Sequence, residues 1–381
     1  MKPDIAIVGI GETPFRRTLP EDLHTLMAEA CRAALADAGL GVGDVDAVAD
    51  STGSYSTLHE VLRHLGVRGP VQLGSSLHAS PATVAAPLQA ALLIESGLAS
   101  TVLAFSGSNW GSMRRGNTGV AHVDMEMKNA FEMPQGWYPQ VVHFAGMARR
   151  RMALYGMKEE ELGAVAVAAR RHAVLAGERA VLGHKPLTLA QYLDAPYLAE
   201  PYRAHDCCVV NDGAAAFVMT SRERARDLRQ PPVDVLGIGL GVLPMGEYSS
   251  LREDYLRTAA VHSGPAAFSM AGVSPREVDF AALYDNFTGM VVQQLEDLGF
   301  CRPGEGGGFV SGGRVELDGE LPLATAGGQL AGAFLLGGNL VTEAVKQLRG
   351  AGEARQVAGA EVGLVAGYAG AEHATLLLGR A

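Results

Sequence analysis

The run Tyr284-Asp285-Asn286-Phe287-Thr288 sets a phenol and a carboxylate side by side at the end of a predicted buried strand. A tyrosine there can carry a proton for catalysis if its surroundings bring its pKa down from about 10. The plainer use of Tyr284 is as a large ring that fills space, its hydroxyl satisfied by a backbone carbonyl. Asp285 is suited to orienting Tyr284 or an adjacent loop. Two glycine-rich stretches, Gly304 to Gly308 and Gly327-Gly328, let backbone approach a ligand closely and could offer paired N–H groups to a developing negative oxygen. Neither is a P-loop, because neither fits Gly-x-x-x-x-Gly-Lys-Ser/Thr, and Gly9-x-Gly11 meets Pro14 where a dinucleotide fingerprint needs its third glycine. Asp212, before Gly213, is expected to set a turn into a strand from Ala214 to Met219.

The elements that must position these residues belong to a large α/β chain. At 381 residues, two domains are expected, and 48% hydrophobic residues with 48 glycines suit a well-buried core. A net charge of −10, with Arg149-Arg150-Arg151 as the one tight basic run, argues against a nucleic-acid partner. Cys31, Cys207, Cys208 and Cys301 lack metal-ligand spacing, so no metal site is implied and a reducing cytoplasm is the expected compartment. The chain opens on a strand, Ile5-Ala6-Ile7-Val8, and has no run of about 18 apolar residues, so neither secretion nor a membrane span is expected.

An internal repeat sets the order of those elements. Residues 33–48, AALADAGLGVGDVDAV, align without a gap with 266–281, AAFSMAGVSPREVDFA. Each copy reads as a helix ending at Ala-Gly, a turn, and a Val-Asp pair leading into an apolar strand. A helix and a further buried strand follow each copy, Pro81 to Gly97 then Thr101 to Phe105, and Gly338 to Gly350 then Val362 to Ala366, so β-α-β-α-β occurs twice. Residues 110–201, rich in Met, Arg and aromatics and helical from Phe144 to Tyr155 and Glu159 to Leu175, read as an insertion that serves either as a lid or as a packing or dimerisation element. Pro231-Pro232 marks the boundary between a first domain, 1–230, which contains the insertion, and a second, 231–381.

Several ordered segments together carry a family resemblance that spans nearly the whole chain. The opening Ile5 to Phe15, the segment Asp206-Cys207-Cys208-Val209-Val210-Asn211-Asp212-Gly213-Ala214, the Tyr-Asp-Asn-Phe-Thr run continuing through Glu296 to Glu305, and the Gly327-Gly328 loop resemble the thiolase superfamily, nearest its sterol-carrier-protein type. The resemblance implies two βαβαβαββ halves stacked as a five-layer α-β-α-β-α body, usually dimeric.

The departures from thiolases define the chemistry. The nucleophilic cysteine of that superfamily begins the third helix of the first half, where the helix dipole favours a thiolate; here the count lands on Ser80, within about one residue. Ser80 followed by Pro81 reads as an N-cap with proline at N1, the alternative being a serine nucleophile activated by His78. The thiolase Gly-His-Pro run is replaced by Ala333-Phe334-Leu335, and its second cysteine by Gly367-Tyr368-Ala369-Gly370. Three losses from one mechanism speak against an acyl-cysteine.

Tyr284 is similar to the catalytic tyrosine of thiolase-like lipid-transfer proteins that cleave steroid side-chain acyl-CoA esters, and Leu295 to Cys301 resembles theirs as well. Retro-aldol cleavage of a β-hydroxyacyl-CoA needs a base for the hydroxyl proton and stabilisation of the thioester enolate, with no covalent intermediate. The resemblance therefore implies an aldolase with Tyr284 as base, acting on a bulky or steroid-like substrate without a prosthetic group. The branch's second tyrosine falls at Phe334, which transfers no proton, so either Tyr284 works alone or Tyr368 or His373 supplies that group. Catalysis is thus expected from Tyr284, Asp285, His78 and Tyr368, and substrate binding from Ser80, Gly327, Gly328, Phe334 and His373. A homodimer joined by a small OB-fold, zinc-ribbon protein is the implied assembly. Two other readings are a non-catalytic acyl-CoA or lipid-binding subunit and a degenerate thiolase built on Ser80 and His78.

Overall fold

The computed structural model describes residues 2–51, 55–69, 71–75, 79–113, 128–137, 139–244, 252, 254 and 256–381. The first half runs β1 (Ile5–Glu12), α1 (Leu23–Ala38), β2 (Ala47–Asp50), α2 (Tyr55–Leu65), β3 (Gln72–Ser75), α3 (Ala79–Glu95) and β4 (Val102–Asn109). The insertion then contributes α4 (Gln140–Tyr155), α5 (Glu159–Ala176), α6 (Leu189–Asp194) and a small ribbon of β5 (Tyr197–Ala199) and β6 (Tyr202–Arg203), before β7 (Asp212–Ser221) closes the first half. After the short α7 (Arg222–Ala225), the second half runs β8 (Val233–Val242), α8 (Ala260–Ala271), β9 (Phe280–Ala282), α9 (Thr288–Asp297), α10 (Gly306–Val310), α11 (Gly338–Leu348), β10 (Val362–Ala369) and β11 (Glu372–Arg380).

The strands order as β3-β2-β4-β7-β1-β8-β11-β10-β9. This order is two copies of one pattern placed edge to edge. The outer strand β1 of the first half answers to β8 of the second, β7 to β11, β4 to β10 and β2 to β9; β3 answers to the parallel bridge of Leu323 to Ala281. Within the sheet the two halves pair through Ala6 with Asp234 and Ile7 with Val233. Helix α3 packs on β2 and β3 of its own half and on β10 and β11 of the other, while α11 packs on β1, β7 and β10. These two helices therefore form a middle layer between the half-sheets, with α1 and α8 on the outer faces, which is the expected five-layer body. An almost continuous apolar sequence in the strands suits their burial on both faces.

The repeat does the same work in each half. Gly39 (φ 76°) and Gly272 (φ 74°) end α1 and α8 in the left-handed conformation that glycine adopts without penalty. Asp46 then accepts hydrogen bonds from the N–H groups of Ser100 and Thr101 at the entry to β4, and Asp279 accepts from those of Glu361 and Val362 at the entry to β10. Each repeated aspartate thus sets the register of its parallel neighbour. Asp212 corrects its expected turn role: it begins β7, and its carboxylate accepts from the N–H groups of Leu19 and Ser112, stapling two remote segments because these reach it when its own turn does not.

Candidate active site

Tyr284 leaves the sheet two residues after β9, held by a side chain. Gln294 of α9 accepts from the Tyr284 N–H at 3.3 Å and donates to the Tyr284 carbonyl at 2.9 Å. Behind it, His373 of β11 sets Nε2 3.4 Å from Gln294 Oε1 and Nδ1 2.7 Å from Ser263 Oγ. The segment that opens β7 is the spine for the loops around the site. Cys208 donates its N–H to the Asn286 carbonyl (2.9 Å), Val209 donates to that of Gln329 (2.8 Å), and the Asn211 side chain accepts from the Phe334 N–H (2.7 Å). Asp206 accepts from Thr288 Oγ at 2.5 Å and from the Tyr192 hydroxyl at 2.8 Å, fixing the start of α9.

These supports surround a cavity of about 240 Å³, into which Tyr284, Tyr368 and Phe334 project along with Trp110, Phe144 and Asn286. The Tyr284 ring lies 6.4 Å from both Phe334 and Tyr368, and the Phe334 ring lies tilted against Trp110 at 4.7 Å. From the insertion come Lys128, Trp137, Gln140 and His143, none of which sequence reasoning had picked out. The clue available was a stretch rich in aromatics between β4 and β7. Another cavity, lined by Glu12, Asn339, Glu343, Lys346 and Arg355, holds only about 30 Å³, and its charges are paired internally, with Lys346 2.5 Å from Glu12 and Arg355 3.1 Å from Glu343. It has room for water and no more.

Tyr284 does not have the lowered pKa expected of a base. Burial raises it well above 10, and negative charge on Cys208, Asp285 or Tyr368 adds to the effect. The phenol is therefore neutral at physiological pH, a donor as well as an acceptor. Asp285 turns away from the cavity: its carboxylate accepts from the N–H groups of Gln329 (2.8 Å) and Leu330 (3.2 Å). Burial pushes its pKa up to about 6, against the pull of those two N–H groups. Its carboxylate holds the loop and lies outside the cavity lining.

Other expected site residues are corrected in the same way. Gly328 lies against the Asp285 carboxylate, where any Cβ would collide, and with Gly327 (φ 89°) makes a tight turn away from the cavity of Tyr284. The Gly304 to Gly308 stretch starts α10, with the Gly306 N–H given to Glu296 at 2.9 Å. His373 is fully buried outside the cavity lining, and burial depresses its pKa to about 3, so it is a neutral support for Gln294. Ser80 is completely buried between Gly337 and Gly367, and its hydroxyl has no hydrogen-bond partner, so it neither caps α3 nor reaches an acyl group. The residue at the start of α3 that faces the cavity is Ala79, held at φ 50°, whose methyl group is no nucleophile. His78 lies outside the described residues.

Comparison with known proteins matches this architecture. Residues 241–380 fit the family model described as Thiolase C-terminal domain-like. The chain is 37% identical to the 17-hydroxy-3-oxo-4-pregnene-20-carboxyl-CoA lyase of Mycobacterium tuberculosis, over 98% of each chain. It is 34% identical to a steroid side-chain-cleaving aldolase of Thermomonospora curvata, over 91% of this chain and 90% of that one. Among solved structures, a chain of the Ltp2-ChsH2(DUF35) aldolase superposes with a TM-score of 0.91 at 33% identity, covering 100% of this chain and 98% of the other. With a thiolase body, a helix start without a nucleophile and a tyrosine at the centre of the cavity, the chain belongs to the thiolase superfamily, in the branch that contains the steroid side-chain-cleaving acyl-CoA aldolases.

Proposed function

We propose that this lyase cleaves a β-hydroxyacyl-CoA with a bulky, steroid-like tail into a ketone or aldehyde and a shorter acyl-CoA. The observation that carries the reading is the pairing, across one cavity, of Tyr284 as a neutral buried phenol with Ala79 where a nucleophile would begin α3. The aromatic walls of Trp110, Phe144, Phe334 and Tyr368 suit a flat apolar skeleton. Cleavage requires the β-hydroxyl to lose its proton while the Cα–Cβ electrons move into the thioester. A neutral phenol can meet this need as a relay, taking the hydroxyl proton on its oxygen and passing its own to Cα, so that nothing is lost or gained overall. No prosthetic group takes part, and the CoA thioester enters as substrate.

The assembly belongs to the same proposal. Leu73 on the edge strand β3, with Leu92 and Leu98 nearby in sequence, is more than half exposed like both of them, which supports a homodimer. The solved relative is an aldolase named for two proteins, which supports a protein partner here; its small OB-fold, zinc-ribbon form is part of the proposal. Among the described residues no helix is long and apolar enough to cross a membrane, and the four cysteines form no disulfide, which suits a reducing cytoplasm.

The test is release of short-chain acyl-CoA from a branched β-hydroxyacyl-CoA, with and without such a partner. Tyr284→Phe should lower kcat at least about a hundredfold, the scale of a lost acid–base group. Binding without turnover by both proteins would instead make this chain an acyl-CoA-binding subunit.

A further inference from the structure

Cleavage drives negative charge onto the thioester oxygen, and the Phe334 ring has no donor to meet it. A donor fixed in place before the reaction is worth far more there than one that must reorient. The run that carries Tyr284 supplies one two residues later. Tyr284 and Asn286 both line the cavity, while Asp285 between them turns to the N–H groups of Gln329 and Leu330. A phenol and an amide therefore reach the same space from one short stretch of backbone.

The orientation of that amide is settled by the next residue. Asn286 Oδ1 accepts from the Phe287 N–H at 3.1 Å, and because a backbone N–H only donates, the oxygen lies on that side and the NH2 group on the other. Nδ2 has no hydrogen-bond partner among the described residues, and it is not sealed off as the partnerless hydroxyl of Ser80 is. Asn286 is only 8% exposed and lines the cavity, so the cavity is where its two side-chain N–H groups find room.

Both sides of the residue are anchored. Its carbonyl accepts from the Cys208 N–H at 2.9 Å, which ties it to the segment that opens β7. Phe287 stacks on Phe144 at 4.5 Å and on Tyr202 at 5.5 Å. Helix α4, which carries Phe144, is clamped to α9 where buried Arg151 pairs with Glu296 and donates to Gln293 at 2.6 Å. These contacts hold the N–H that orients the Asn286 amide.

Resting on the aldolase reading, we infer that Asn286 is a further catalytic residue, donating a hydrogen bond from Nδ2 to the thioester oxygen as the Cα–Cβ bond breaks. In a β-hydroxyacyl thioester the two oxygens stand on carbons separated only by Cα, so a folded substrate presents the hydroxyl to Tyr284 and the thioester oxygen to Asn286. The hydroxyl proton passes to the Tyr284 oxygen, the Cβ–O bond becomes a carbonyl, and the Cα–Cβ pair becomes the enolate. The proton that Tyr284 gives up goes to Cα and restores the thioester. Asn286 keeps both of its protons throughout.

Two variants remove the donor in different ways, each assayed as purified protein with whatever partner turnover requires. Asn286→Ala deletes the amide without adding charge, and Asn286→Asp keeps an oxygen for the Phe287 N–H. Each should lower kcat about 10²- to 10³-fold, the loss found when one oxyanion donor is removed, with KM changed less than about threefold. The infrared C=O stretch of a bound acyl-CoA lacking the β-hydroxyl should lie at lower frequency in the wild type than in either variant. A kcat in Asn286→Ala within about threefold of the wild type, or one stretch frequency shared by all three proteins, overturns the assignment while leaving the aldolase intact. Full activity in Asn286→Asp overturns it too, since only the contact with Phe287 would then matter; this variant also carries the test if Asn286→Ala fails to fold. A wild type that shows the Asn286-dependent stretch yet releases no acyl-CoA sustains the donor and refutes the aldolase.

Discussion

Asp285 makes the stability of this protein depend on pH in a way that one isosteric change should abolish. Its carboxyl moves from an ordinary 3.8 to about 6 on folding because burial outweighs the two N–H groups it accepts from. At about 1.36 kcal/mol per pH unit, ionised Asp285 costs the native state roughly 3 kcal/mol. The folded-state value is the higher one, so the native state binds the proton more tightly than the unfolded chain does. Its stabilising contribution is complete below about pH 4 and is lost as the pH rises through about 6. Roughly 2 kcal/mol of the loss falls between about pH 4.5 and 7.5. Asp285→Asn removes the titration and keeps one acceptor oxygen, leaving one loop N–H unpaired at about 1–3 kcal/mol, a cost that does not vary with pH. Urea titrations across this range should show the wild type converging on the variant as pH rises. Parallel profiles would refute the argument, since they would mean that Asp285 does not change its proton affinity on folding.

The opposite tilt is expected from His373→Leu. The native imidazole is held neutral down to about pH 3, so its contribution is present above about 6.5 and lost as the pH falls; the variant's urea profile should be flatter below about pH 6. Arg151→Met should cost about 3–5 kcal/mol in thermal or urea unfolding by leaving Glu296 charged and buried, and adding Glu296→Gln should return most of it.

Much of the body was legible because duplication leaves a long-range signature in a single chain. The Ala-Gly ends of α1 and α8 and the Val-Asp pairs after them repeat because each performs the same bond in both halves. Tyr284 was legible because the run it opens is unusual and ends a buried strand. Its proton affinity was not, since Phe334, Tyr368 and Cys208 reach it from three other parts of the chain and their combined desolvation has no local signal. Asp285 misled because strand alternation stops where Gln294 takes over the pairing of Tyr284, and the next side chain turns to the loop behind. His143 and Trp137 left no local signal because they meet only where Trp137 lies against α4, in space that Gly146 leaves open.

The way Gln294 holds Tyr284 has a wider meaning. Its amide presents one donor and one acceptor to a single residue, as a neighbouring strand's peptide would, so the sheet is continued for one step by a side chain. That substitute lets the backbone stop being a strand without orphaning its polar groups, and frees the tyrosine from the pleat that would otherwise dictate its direction. Glutamate has the shape but no proton to give, and asparagine is one methylene too short. Changes meant to reshape this cavity therefore have little freedom at position 294, although Gln294 lies outside the cavity lining.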